Sequence, residues 1–116
     1  MLRMQRGDTP IFDIAVVDVN GDPLDVSSAY VWFTAKYNYG DLDDDAVFQK
    51  TVGNGIFLTN SAYGEMSIQL DSSDTAAILD KTRLKYDVQI KDISGSVYTV
   101  ATGLLSVEPD VTRSIS

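Results

Sequence analysis

The chain has 116 residues, no cysteine and no histidine, and 17 acids against 9 bases give it a formal net charge of -8. That composition excludes disulfides, thiolate and imidazole catalysis and the usual zinc sites. An acidic surface repels phosphate backbones, so no nucleic-acid partner is expected. The start has no basic stretch followed by an apolar core, and the longest apolar runs are too short for a bilayer, so neither a signal peptide nor a membrane span is expected.

Short alternating segments separated by turn residues recur along the chain. In "RGDTPIFDIAVVD", Phe12, Ile14 and Val16 alternate with Asp13, Ala15 and Val17, which predicts a strand with one buried face. "VNGDP" at 19–23 is a turn, with Asn20-Gly21 suited to positive φ and Pro23 stopping continuation. "AYVWFTAK" puts Val31, Phe33 and Ala35 on one face and Tyr30, Trp32, Thr34 and Lys36 on the other. "AVFQKT" at 46–51 reads as a short strand, and Gly53 and Gly55 punctuate the chain before "IFLT". "EMSIQL" follows with Met66, Ile68 and Leu70 inward. "DSSDTAAILDK" breaks the rhythm: Ser72 or Ser73 is placed to cap one or two helical turns that Ile78 and Leu79 pin to the core. "LKYDVQI" then puts Leu84, Tyr86, Val88 and Ile90 in, and Lys85, Asp87 and Gln89 out. In "VYTVATGLLSV", Gly103 suggests a bulge or a close backbone approach. Seven to nine strands with almost no helix predict an all-β protein, an antiparallel two-sheet sandwich over residues 1–109 followed by a tail at 110–116.

The order of these pieces resembles a family. Gly7-Asp8-Thr9, the turn from Asp18 to Asp25 and the strand from Ala29 to Phe33 are similar to the entry of immunoglobulin-like domains in tailed-phage virion proteins. That group includes the N-terminal domain of the phage baseplate upper protein. "GIFLTNSAYGEMSIQLDSSDTA" and "YDVQIKDISGSVYTVATGLLSVEPDVTR" resemble the family's paired strands, helical turn and closing hairpin. The resemblance implies an immunoglobulin-like sandwich, no catalytic residues, no cofactor and a place in the virion. Its implied partners are other virion proteins in a multi-copy assembly, a second copy of the chain among them. Synthesis would take place in the host cytoplasm.

Arg6-Gly7-Asp8 spells a cell-adhesion tripeptide, but it also suits a strand entry, in which Gly7 turns the chain and Asp8 or Thr9 caps the turn. Asp41, Asp43 and Asp45 have the alternate spacing of a calcium loop. The full loop needs glycine at its sixth position and glutamate at its twelfth, where this chain has Ala46 and Val52, so no metal is assigned. No serine lies in a nucleophile-elbow pattern and no histidine can activate one, so no enzyme is expected. The candidate partner-binding residues are Leu2 and Met4 in an extended start, Trp32 on the outer sheet face, Tyr37 and Tyr39 beside the acidic loop, and Val111 and Ile115 in the tail. Unpaired strand edges and exposed aromatics are the usual anchors of such contacts. A second reading is a host-surface glycan-binding module, in which Tyr37, Tyr39 and the Asp41–Asp45 loop stack on and hydrogen-bond to sugars.

Overall fold

A computed structural model gives the fold and describes residues 2–38, 40–42, 45–78 and 80–109. The strands are β1 (Leu2–Gln5), β2 (Ile11–Ala15), β3 (Tyr30–Lys36), β4 (Phe48–Val52), β5 (Gly55–Asn60), β6 (Glu65–Gln69), β7 (Thr82–Lys91) and β8 (Val97–Glu108), with a helical turn α1 (Ser72–Thr75) between β6 and β7. The protein is therefore all-β, as the alternation predicts.

The expected pair of antiparallel sheets is corrected to one mixed, barrel-like sheet. The ladder runs without a break in the order β1-β8-β7-β3-β4-β5-β6-β2. Two pairs are parallel, β1 with β8 and β4 with β5. The second is a corner: Thr51 lies opposite Gly55 and Val52 opposite Ile56, so hydrogen bonding continues where two separate sheets would part. Gly55 makes the corner feasible. It has φ 97°, and a Cβ there would meet the Lys50 Cδ at 2.6 Å.

The chain's own connectivity makes the sheet curl. β1 and β2 lie at opposite ends of the strand order but are consecutive in sequence. Seven strand spacings laid flat would put them about 34 Å apart. The six Cα steps from Gln5 to Ile11 reach at most about 22 Å. The segment between them is anchored as it crosses. The Arg6 amide donates to the Glu108 carbonyl at 2.8 Å, and the Leu70 amide to the Pro10 carbonyl at 3.1 Å.

The enclosed core contains Val31, Phe33 and Ala35 of β3, Leu84, Val88 and Ile90 of β7, and Ile56, Met66, Ile68, Leu105 and Val107, all buried. Phe12 and Ile14 pack against it from β2. The Phe33 ring stacks between Phe48, at 6.0 Å, and Tyr86, at 5.1 Å. The inward set predicted for β7 thus holds, with Tyr86 half-buried. At Gly103 the close approach is the Tyr86 ring, since a Cβ would lie 2.7 Å from its hydroxyl oxygen. The register shift in β8 falls elsewhere, where Val88 faces Ala101 and Gln89 faces Thr99.

Two local expectations shift. The N-cap of α1 is Asp71 and neither Ser72 nor Ser73; the Asp74 carboxylate accepts from the Asp71 amide at 2.7 Å. Ile78 is buried as expected, and Leu79 lies outside the described residues.

Candidate functional site

The start of the chain is part of the core. Met4 is 6% exposed and Leu2 packs against the buried cluster, because β1 pairs in parallel with β8 and sets Leu2 beside Leu105 and Met4 beside Val107. The expectation of a strand lying outside the core, with Leu2 and Met4 presented to a partner, is corrected accordingly. Its second hydrogen-bonding edge still forms one border of the sheet. The Arg-Gly-Asp stretch is also structural. Arg6 is 6% exposed and donates to the Ala76 carbonyl, and the Gly7 amide donates to the Thr75 hydroxyl at 2.9 Å. Arg6 and Gly7 tie the strand entry to the end of α1.

Tyr37 is 46% exposed in the loop after β3, where Lys36 Nζ donates to the Asp41 carbonyl at 2.9 Å and the Asp41 carboxylate accepts from the Asn38 amide at 3.1 Å. Tyr39, Asp43, Val111 and Ile115 lie outside the described residues. Among the described residues, no three acidic side chains converge as a metal site would require.

Trp32 marks the surface with the most varied chemistry. On β3 the outward residues are Tyr30, Trp32, Thr34 and Lys36. Tyr30 is 68% exposed and stacks on the half-buried Trp32 at 6.1 Å. Neighbouring strands complete the face by register: Trp32 lies between Thr51 of β4 and Gln89 of β7, and Thr34 between Gln49 and Asp87. An open trough of about 480 Å³ runs along it, bordered by Trp32, Gln49, Asp87, Gln89 and Lys91. Gln49 Nε2 donates to the Thr34 hydroxyl at 2.9 Å and Gln89 Nε2 to the Thr99 hydroxyl at 3.3 Å, which orients both amides. Thr34 is outward-facing yet buried, because long side chains lie across it.

The sequence reading missed how charge gathers here. Arg83, Lys85 and Lys91 alternate outward on β7, Lys36 joins them from β3, and Arg3 of β1 lies in the row of Ser106 and Arg83. The same face bears Asp87 and Glu108, the latter bound by the Ser106 hydroxyl at 2.9 Å and paired with Lys81 at 3.7 Å. More than half of the chain's 9 bases therefore share one side of a molecule whose net charge is -8. The outward alternation of β7 was a signal for part of this row. Arg3 joins only through the β1–β8 pairing, which the sequence does not announce.

No family model matches the chain, and no curated protein matches it.

Proposed function

We propose that this chain is a non-enzymatic structural module of a tailed-phage virion, with an immunoglobulin-like relationship, that docks onto other virion subunits. The order of its sequence motifs suggests the family. The observation that carries a docking role is the exposed Tyr30–Trp32 pair on an open face backed by a self-contained core. Aromatic residues set among charged and amide groups are the usual composition of a protein contact. The open edges of β1 and β2 offer additional strand pairing. The test is incorporation of tagged chain into particles. Tyr30→Ala/Trp32→Ala should keep the circular dichroism of the parent and lose incorporation; normal incorporation would remove this face from the docking role.

A glycan-binding reading has one observation in its favour: Trp32 lies in the trough with two amides held by hydrogen bonds, a combination that suits a sugar ring. Glycan-array binding that disappears in Trp32→Ala would support it, and an array without signal would set it aside.

A further inference from the structure

We propose that copies of this chain associate head to tail, the basic aromatic face of one copy seated on the acidic outer face of β2, β6 and β5 of the next. The two surfaces look away from each other across the core. On the second face Ile11, Asp13 and Ala15 of β2 point outward beside Gln69, Ser67 and Glu65 of β6, and Phe57 follows on β5. Ile11 is 61% and Phe57 51% exposed, and the strands contribute carboxylates from Asp13 and Glu65 but no lysine or arginine to this face. Asp13 is held in place by the Ser67 hydroxyl at 2.8 Å.

Each face thus combines exposed apolar side chains with charges of one prevailing sign, and the signs are opposite. An isologous dimer would set like faces together, basic on basic or acidic on acidic. A heterologous contact pairs unlike faces and repeats, giving a ring or a filament. The chain's net charge of -8 opposes close approach in other orientations, so the basic face is the side on which a second acidic copy is attracted. One contact of this kind can be weak, and the number of copies engaged supplies the strength. The inference deepens the structural reading above and rests on it only for its biological setting.

Sedimentation velocity over a concentration series, at about 0.02 M and about 0.5 M salt, tests the contact, since screening weakens it at the higher value. The parent chain should form species larger than a monomer at low salt and return toward the monomer at high salt. Lys85→Glu/Lys91→Glu breaks the basic face, and Asp13→Lys/Glu65→Lys breaks the acidic face. Each variant alone should be monomeric, and their mixture should associate again, because the two intact faces still match and the two reversed faces are now complementary to each other. Circular dichroism checks folding, and Lys91→Glu alone, at an exposed position, replaces a double variant that does not fold. A parent that stays monomeric at low salt overturns the proposal, as does a variant that self-associates like the parent. Binding of polyglutamate to the basic face without self-association also overturns it, by assigning that face to an acidic polymer. No phage particle enters this experiment, so its failure leaves the incorporation test standing.

Discussion

Lys50 Nζ, at an inward position of β4, lies 2.8 Å from the Asp74 carboxylate and 3.4 Å from that of Asp71. Lysine is rarely tolerated facing a core, and here α1 supplies the neutralising charge. Asp74 has a second task, since its carboxylate also accepts from the Asp71 amide. The two partners should therefore respond unequally. Asp74→Ala strips both the ammonium and the helical turn of an acceptor, and should cost about 3–5 kcal/mol. Lys50→Met retains the stem's packing and leaves the Asp74 carboxylate, 12% exposed, with the Asp71 amide still donating to it, so its loss should be the smaller of the two. Urea denaturation of both variants checks the order, and equal losses would refute the double role.

The Tyr86 ring occupies the space above Gly103 on the neighbouring strand while it stacks on Phe33 at 5.1 Å. Gly103→Ala should displace the ring and cost about 1–3 kcal/mol, the usual range for overpacking. Tyr86→Leu vacates the same space. The double variant should then lose less than the two single losses added together. Strict additivity in thermal melts would show that the ring moves aside without strain.

The strands β3, β6 and β7 could be read from the sequence because alternation is local: Val31 and Phe33, Met66 and Ile68, and Val88 and Ile90 each mark their own inner face. What escaped depends on distant partners. Nothing local in "AVFQKT" marks Lys50 as paired, since Asp71 and Asp74, which come round to meet it, lie 21 and 24 residues later. Met4 reads as a dangling strand residue until Val107, from the far end of the chain, lies beside it. Trp32 was legible as outward from its neighbours in "YVWFTAK". The row of Arg3, Ser106 and Arg83 was not, because two strand registers must be known to assemble it. The parallel corner at β4 and β5 escaped for the same reason, since alternation gives a strand's faces but not its direction or partner.

Met4 yields a test of the corrected role of the first strand. Its side chain is buried and its strand covers one edge of β8. Met4→Ala should cost about 2–5 kcal/mol. Deletion of residues 1–5 should cost more, because it also uncovers the β8 ladder and releases the anchor that Arg6 makes with Glu108. Chemical denaturation measures both. A deletion variant as stable as the parent would mean that β1 is dispensable, and would return its residues to candidacy as a partner strand.

Asp92 sets the acid response of the β7–β8 hairpin. Its carboxylate accepts from the Ser94 hydroxyl at 2.6 Å, from the Ser94 and Ser96 amides at 3.0 Å each, and from the Tyr98 hydroxyl at 3.4 Å. The Ser94 hydroxyl is the main reason that its pKa falls below the ordinary 3.8, with the two amides and Tyr98 adding to it. A carboxyl whose folded pKa is depressed contributes stability that is present above its unfolded pKa. That contribution is lost as pH falls through the folded value. Asp92→Ala should therefore melt lower than the parent at neutral pH. The gap should narrow as the pH drops below 3.8, because the parent's protonated carboxyl no longer accepts as strongly. Asp25 is lowered likewise, chiefly by the Ser27 hydroxyl, so the comparison must be made against the Asp92 variant and not against the parent's own acid melt. Scanning calorimetry of the two chains at neutral and acid pH measures the gap, and a gap that stays constant would show that the turn does not depend on the ionised carboxylate.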